Sequence, residues 1–400
     1  MKIFYTGNIC ADDFFEKLMK TQAAPPSLAQ LKLEKNILKG LEQNQVHVTA
    51  YGQYPIRGFP GNRELFLKRE TYVISEYLTI INPSMLNVVF LKQLLQFVAM
   101  FCSFLGWVIK NRKEEKIYFS YSVYPPVTIP CMILGKLSRM KLVSYVSEIP
   151  ELRLFYNQGS FVRRILLKIL TKTSMFVSRR FSHYIYITEQ VNDFFGAKKE
   201  NFVVIEGIAS LDFRAVIPKK EPTDKFVVMY AGGINQQNGI EKLIGAWEFL
   251  DDFYQLWLFG SGDYVSTLQQ RIEDSENITY FGNRPHAEIL AYEKRASVLI
   301  NPRFSQNEYT KYSFPSKTIE YLESGTPIVT SRLGGIPKEY YEFLSILPDG
   351  EQEIAEILKE LSTSKNYALA LEKSAEGFRF IQKKNAQNQV KKIIEMLQKG

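Results

Sequence analysis

The chain has 400 residues, more than one ordinary core holds and enough for two domains of roughly 150–200 residues each. Its hydrophobic fraction of 46% and charged fraction of 23% are those of a globular protein and exclude a disordered or fibrous chain. The net charge of +8 is unevenly placed, with 27 basic and 15 acidic side chains in residues 1–200 against 23 and 27 in residues 201–400. A uniformly basic chain would suggest nucleic acid. A basic half joined to a mildly acidic half suggests two tasks on two domains, one of them facing an anionic surface or ligand. No aromatic platform motif accompanies the basic half, so nucleic acid is not an expected partner. Cys10, Cys102 and Cys131 are unclustered, which argues against a disulfide framework and for a reducing compartment. The first residues read as a strand entering a Gly turn, not as a signal peptide, and a cytoplasmic protein is expected.

In chain order, Lys2–Thr6, Val46–Tyr51, Ile117–Ser120, Leu142–Tyr145, Tyr184–Ile187 and Phe202–Ile205 are predicted strands, with helices such as Leu28–Leu41 and Phe161–Arg179 between them. The series then restarts. Phe226–Tyr230, Leu256–Phe259, Ile278–Phe281, Val298–Ile300 and Pro327–Thr330 are strands separated by helices over Gly239–Leu250, Val265–Ile272, Ala287–Ala296 and Pro315–Leu322. Strands spaced by helices imply βαβ units and parallel sheets, and two such series imply two Rossmann-like, doubly wound domains. The polar, proline-bearing stretch Glu206–Lys225 is the predicted joint. The last forty residues read as two helices of mixed charge.

Two segments bear on membranes. Met85–Ile109 is apolar but interrupted by Lys92, Gln93 and Gln96. Its clean run is short of the roughly 20 residues that span a bilayer. It is therefore a buried helix or an interfacial one, followed by the basic flank Lys110, Arg112, Lys113 and Lys116. Ser160–Phe181 is a basic amphipathic helix in which Arg164, Lys168, Lys172 and Arg179 share one arc and Ile165, Leu166, Ile169 and Phe176 the next. Such a helix suits a membrane surface, and equally a solvated face above its own sheet. Arg163, Arg164, Lys168 and Lys172 are the candidate membrane or acceptor contacts, and peripheral attachment to the inner face of a cell membrane is expected.

The chemistry concentrates between Val227 and Tyr341. A glycine turn, Gly232-Gly233-Ile234-Asn235, follows the first strand of the second series; Gly260-Ser261-Gly262 follows the next, and Gly282-Asn283-Arg284 the third. Turns of this kind point backbone N–H groups at an anion, and ligands of doubly wound sheets bind outside the C-terminal strand ends. Asn301-Pro302-Arg303 and Lys311-Tyr312-Ser313-Phe314-Pro315-Ser316-Lys317 lead into a further helix. There Ser313 is the predicted N-cap, Pro315 the first-turn residue and Gly325 the C-terminal stop. That helix start offers N–H groups to a diphosphate, with Arg303, Lys311 and Lys317 for charge, while Glu320 lies about a turn and a half inside and can reach a ribose. No His–Cys metal spacing occurs; His47, His183 and His286 read as ordinary surface or hydrogen-bonded side chains.

The stretch Tyr-Ser-Phe-Pro-Ser-Lys-Thr-Ile-Glu-Tyr-Leu-Glu-Ser-Gly-Thr-Pro-Ile-Val, with Gly-Ile-Pro-Lys-Glu-Tyr at 335–340, resembles glycosyltransferases of the GT-B fold, and most of all the retaining family 4 enzymes of bacterial capsule and exopolysaccharide synthesis. The resemblance covers most of 225–345 and reaches weakly to Ser147-Glu148-Ile149-Pro150, Ile187-Thr188-Glu189 and Val204-Ile205-Glu206-Gly207. It implies an α/β GT-B architecture of two Rossmann-like domains facing a central cleft. Residues 1–205 would form an acceptor-binding, membrane-facing domain, 206–225 a linker, 226–378 the nucleotide-sugar domain, and 379–400 a helix crossing back to the first domain.

By the same resemblance, Glu320 matches the second glutamate of the family's E-x₇-E motif, which holds the nucleotide ribose. Gly232 and Gly233 match the turn facing the phosphates, and Ser313, Phe314, Pro315 and Ser316 the loop that meets donor sugar and diphosphate. Two departures stand out: the first glutamate falls on Tyr312, and the usual Lys-Gly is Asn238-Gly239. Asn235, Gly260, Ser261, Asn283, Arg284 and Arg303 complete the expected donor site. Lys311 is expected to stabilise the leaving group, beside Tyr312, with Glu148 touching the acceptor. The implied activity is transfer of a sugar with retention, without cofactor or metal, from a UDP-sugar or related donor to a glycan acceptor, polyprenyl-diphosphate-linked in the leading reading. The Thr21–Pro26 loop lacks the family's Gly-Gly turn. A non-catalytic GT-B partner or glycan-binding subunit is the alternative; an epimerase would need acid/base groups that the sequence does not offer.

Overall fold

The computed structural model describes residues 1–11, 28–53, 59, 62–88, 91–150, 161–210, 216, 224–303 and 308–399, apart from the side chains at 28–29, 161–164, 166 and 308–309. The Thr21–Pro26 loop, most of the 206–225 stretch and the side chains of Arg163 and Arg164 lie outside the described residues. The chain divides into two compact units, Met1–Ile208 with Ala386–Gly400, and Ala209–Asn385.

The first unit contains β1 (Lys2–Gly7), α1 (Leu28–Gln43), β2 (His47–Gly52), β3 (Phe66–Leu67), β4 (Glu70–Val73), β5 (Leu78–Asn82), β6 (Met85–Leu86), α2 (Leu91–Lys110), β7 (Lys116–Tyr121), α3 (Pro125–Leu137), β8 (Lys141–Val146), α4 (Phe161–Ser178), β9 (His183–Tyr186) and β10 (Phe202–Val204). Its eight-stranded sheet has the order β10-β9-β8-β7-β1-β2-β5-β4. Pairing is parallel throughout, with Lys2 opposite both His47 and Lys116, except for the antiparallel edge strand β4. Central strands such as β1, β7 and β8 are buried on both faces, as their near-continuous apolar runs require in a parallel sheet.

The topology sorts the helices. From β1 the chain runs outward through β2 to β5, then returns to β7 and continues to β8, β9 and β10. Right-handed crossovers therefore put α2, α3 and α4 on one face of the sheet and α1 on the other. Side chains agree: Phe4 meets Phe104 of α2 at 4.8 Å, while Ile3, Tyr5 and Phe119 share a core with Ile37 and Leu41 of α1.

The second unit contains β11 (Phe226–Ala231), α5 (Ile240–Ala246), β12 (Tyr254–Phe259), α6 (Val265–Arg271), β13 (Ile278–Gly282), α7 (His286–Arg295), β14 (Val298–Asn301), α8 (Lys317–Ser324), β15 (Ile328–Thr330), β16 (Ser345–Ile346), α9 (Glu351–Ser362) and α10 (Ser364–Gln382). Its six-stranded sheet, β13-β12-β11-β14-β15-β16, is wholly parallel. The final helix α11 (Ala386–Lys399) belongs to the first unit, where Val390, Ile393 and Leu397 join the core on the α1 side.

Several predicted elements shift. The apolar stretch Met85–Ile109 is split into β6 and α2, and α2 is mostly exposed rather than buried. The helix predicted over Gly239–Leu250 begins only after Gly239, which is left-handed at φ 74°, and gives way after Ala246 to a 3₁₀ turn. The helix predicted from Pro315 starts at Lys317, with Ser316 and not Ser313 at its N-cap position; Gly325, at φ 67°, ends it.

Candidate functional site

The second sheet has its topological switch point between β11 and β14, where the chain leaves in one direction and returns in the other. Open α/β sheets bind ligands at that place, outside the C-terminal strand ends. Four loops meet there. Gly232 donates its N–H to the Phe259 carbonyl at 3.0 Å and Ile234 to Ser261 O at 2.9 Å, so the glycine turn after β11 is locked to the one after β12. Gly260, at φ 126°, donates to Gly282 O at 2.9 Å; a Cβ on it would fall 1.8 Å from the Gly232 carbonyl oxygen. A Cβ on Gly239 would fall 2.0 Å from Pro302 O, so the start of α5 abuts the loop after β14. These glycines permit backbone-on-backbone approach.

Side chains then hold the turns. Gly233 O accepts from the Tyr230 hydroxyl at 3.0 Å and from Asn238 Nδ2 at 2.7 Å. Asn238, standing where the resemblance expects lysine, thus braces the turn. Asn235 Oδ1 accepts the Asp263 N–H at 3.1 Å. Burial pushes the Tyr230 hydroxyl up to about 12, against the pull of the nearby Arg303 cation. Ser261, Asn283 and Arg284 are exposed, with the Arg284 guanidinium donating to Phe281 O at 3.1 Å.

The stretch before α8 forms a 3₁₀ turn over Glu308–Tyr312, with Lys311 Nζ 5.0 Å from the centre of the Tyr312 ring. A Cβ on Gly335 would fall 2.1 Å from Ser313 O, which fixes the Ser313–Ser316 loop against the segment after β15. Phe314 is buried, tilted against Tyr340 at 5.4 Å, whereas Pro315 and Lys317 are half-buried and Ser316 exposed. Glu320 lies in the first turn of α8, nearer the helix start than predicted. Its carboxylate pairs with Lys317 and stands 4.0 Å from His286 Nδ1.

Two residues of this site escape sequence reasoning. His286, read there as an ordinary surface or hydrogen-bonded side chain and given no place in the site, opens α7 beside Glu320. Tyr321 is fully buried, and its hydroxyl accepts the Ala231 N–H at 3.1 Å and donates back to Ala231 O at 3.4 Å. It ties α8 to the end of β11. The only sequence signal for it was its place next to Glu320.

The first unit carries a cavity of about 310 Å³ at the C-terminal ends of β7 and β8, closed on one side by α4. Hydroxyls of Ser122, Ser144, Ser147, Thr171 and Ser174 line it beside Leu167 and Leu170. Ser144 Oγ is buried without a hydrogen-bond partner among the described residues. Ser122 is left-handed at φ 64°, an uncommon state for a non-glycine residue. Glu148, exposed on the same cavity, accepts from Gln30 Nε2 at 3.1 Å. Lys168 and Lys172 stand exposed on α4.

Residues 225–364 match the profile of a family described as Glycosyl transferases group 1. None of the curated proteins matches the sequence. Among solved structures, the chain is similar along its full length to sucrose-phosphate synthase from Thermosynechococcus elongatus, at 15% identity, TM-score 0.63 and 98% coverage of that chain. It is also similar to Anabaena HepE, solved in complex with UDP and glucose, at 15% identity and TM-score 0.58 over 100% of this chain and 99% of that one. A glycosyltransferase from Rickettsia africae aligns at 12% identity and TM-score 0.60, over 100% of this chain and 98% of its own. At such identities the likeness establishes the fold, which is GT-B.

Proposed function

We propose that this GT-B chain is a glycosyltransferase that takes a sugar from a nucleoside-diphosphate donor, with UDP as the leading nucleotide, held by the second unit, and delivers it to a glycan acceptor bound by the first. The observation that carries the reading is the switch point of the second sheet. Two interlocked glycine turns, the α8 start with Lys317 and the carboxylate of Glu320 gather there, with Arg303 on the loop after β14 and Lys311 on the 3₁₀ turn before α8. Main-chain N–H groups and cations suit a diphosphate, and a carboxylate suits ribose hydroxyls. The Glycosyl transferases group 1 profile and the UDP and UDP-glucose complexes of Anabaena HepE support the same donor class.

In the proposed reaction the bond between the anomeric carbon and the diphosphate oxygen breaks, and its electron pair stays on the diphosphate. The acceptor hydroxyl oxygen bonds the same face of the anomeric carbon and yields its proton to the departing oxygen, which gives retention. Lys311 and the loop amides stabilise the developing negative charge. This assigns no step to a metal ion or cofactor. The hydroxyl-lined cavity of the first unit, with Glu148 beside it, fits a sugar ring and contains no cation among its lining residues. It is our candidate acceptor site, for a glycan carried on a polyprenyl diphosphate in cell-surface polysaccharide synthesis.

Calorimetric titration with UDP, GDP, ADP and UDP-glucose, alongside slow donor hydrolysis, tests the reading. Micromolar UDP binding with release of nucleotide is expected, and Glu320→Ala should weaken it by about tenfold to a hundredfold, the worth of a hydrogen bond to a charged group. Failure of every nucleotide to bind overturns it. The bracing of Asn238 on Gly233 and the pairing of Lys317 with Glu320 favour one second reading, a non-catalytic nucleotide-binding subunit, which predicts binding with no donor turnover in the presence of any glycan acceptor.

A further inference from the structure

The three helices on one face of the first sheet, α2, α3 and α4, contain not one aspartate or glutamate. Among the other α-helices of the described residues only the two-turn α6 shares this lack of acids. On the opposite side α1 carries Glu34 and Glu42, and α11 carries Glu395; in the second unit α7, α8, α9 and α10 all carry glutamates. The acid-free helices supply Lys110, Lys136, Lys168 and Lys172, and Arg112 and Lys113 follow α2 directly, ahead of the exposed Glu114 and Glu115. All six basic side chains are exposed.

The same layer presents large apolar side chains to solvent. Leu94 is 62% exposed, Val98 52% and Ile109 60% on α2; Leu137 is 77% exposed on α3; Ile169 and Phe176 are 59% exposed on α4. The helices are adjacent, α2 lying against α3 and α3 against α4, so these side chains share one continuous face. A soluble monomer rarely leaves so many large apolar groups uncovered on one side. Among the described residues of the second unit the exposed large apolar side chains are fewer: Val216, Phe249, Phe253 and Leu369.

We infer that the outer face of α2, α3 and α4 docks on the interfacial zone of an anionic lipid bilayer, with α2 lying in the plane of the membrane. This goes beyond the proposed transfer reaction and does not depend on it. Charge selects the occupant. Exposed apolar side chains and exposed cations on helices that carry no acid complement acyl chains beneath acidic headgroups. A second copy of the same face would set Lys110, Lys136, Lys168 and Lys172 against their equals.

The attitude of α2 follows from its inner side. By length and composition it could cross a membrane, yet it is stapled to the sheet. Met100 and Phe104 are fully buried, Phe104 meets Phe4 and Tyr118, and Trp107 Nε1 donates to Thr49 Oγ1 at 3.1 Å. Tyr124 donates to Gln96 Oε1 at 3.0 Å and satisfies a polar group on that inner side. A helix held by these contacts meets lipid only with its outer half, as an interfacial helix does.

Vesicle flotation of the full chain tests the inference without any nucleotide or acceptor. The protein should float with vesicles of phosphatidylcholine and phosphatidylglycerol, float poorly with phosphatidylcholine alone, and be released by salt. Leu94→Asp and Val98→Asp should each lower partitioning by about tenfold or more, since each removes a buried aliphatic group from the lipid. Lys110→Gln, Lys168→Gln and Lys172→Gln should each lower it by about fivefold. Leu369→Asp, on the second unit, should leave it unchanged, and thermal midpoints should match the parent. The glutamine variants keep the test decisive should an aspartate variant fold poorly. The inference is overturned if the parent ignores acidic vesicles, if both aspartate variants float as well as the parent, or if binding resists salt as a spanning helix would. It is equally overturned if Leu94→Asp abolishes self-association in a protein that binds no vesicle.

Discussion

The two sheets finish differently at the edge where their strands point. In the second unit the ends of β11, β12 and β14 are joined by main-chain groups, with Gly260 and Gly239 pressed against the Gly232 and Pro302 carbonyls. In the first unit the corresponding edge is closed by side chains. Glu34 from α1 is fully buried beneath the turn after β1, accepting the Tyr5 hydroxyl at 3.0 Å and the Asn8 N–H at 3.1 Å, and Gly7 leaves it room. Tyr121 and Tyr145 stack at 5.1 Å beside it, and the Tyr145 hydroxyl donates to Ile205 O at 2.8 Å. An edge held together by main-chain hydrogen bonds contains nothing that titrates. An edge closed by a buried carboxyl depends on the protonation of that carboxyl.

The largest expected effect breaks the first edge. Burial pushes the Glu34 carboxyl up to about 8, against hydrogen bonds from Tyr5 and Asn8 that pull it down. Its folded value thus lies above its unfolded one of 4.5. Between the two the folded chain holds a proton that the unfolded chain has lost, so stability falls as pH rises through this window and levels off above it. Glu34→Gln, which cannot ionise, should therefore be close to the parent below the window. It should gain on the parent by on the order of 4 kcal/mol once pH exceeds 8. Urea midpoints across pH measure the difference, and a constant gap between variant and parent would refute a protonated Glu34. The second edge is tested by Gly260→Val. A positive φ combined with a Cβ driven into the Gly232 carbonyl should cost about 3 kcal/mol, with loss of nucleotide binding. Its penalty should not vary with pH, and a pH-dependent one would blur the contrast between the edges.

The glycine turns were legible in the sequence because each stands directly after an apolar β-run, where only backbone geometry is at stake. For the same reason the sheets and their two series could be read from alternating strands and helices, to within a residue or two at most ends. What stayed hidden depends on tertiary contacts. Nothing local marks Glu34 as buried: it sits in a helix among Lys32, Lys35 and Lys39 and reads as a solvated charge. The start of α8 was misplaced by two residues because Ser313 and Pro315 imitate a cap and a first turn, whereas Gly335 packs on Ser313 O and holds that stretch outside the helix. The helix Pro125–Leu137 went unread because Pro125, Pro126 and Pro130 look like breakers, although the first two occupy its first turn. Short strands such as β3 and β6 carry too few residues to show a period.

The smallest effect addresses how the second edge is held at its switch point. β14 pairs with β11 only at Val228 and Met229, so Ala231, two residues further, has lost its neighbour on that side. The Tyr321 hydroxyl takes the place of the missing strand, accepting from Ala231 N and donating to Ala231 O. Tyr321→Phe keeps the ring and removes only that hydroxyl, leaving a buried N–H without an acceptor, at a cost of about 1–2 kcal/mol. Because Tyr321 follows Glu320 on α8, the same loss loosens the carboxylate relative to the glycine turn. UDP affinity should then fall by less than Glu320→Ala produces. Denaturant midpoints and UDP titration of the two variants separate the cases. A stability loss with unchanged affinity would mean that α8 is placed by its packing alone, whereas a loss in both would make the tyrosine the link between the strand end and the nucleotide.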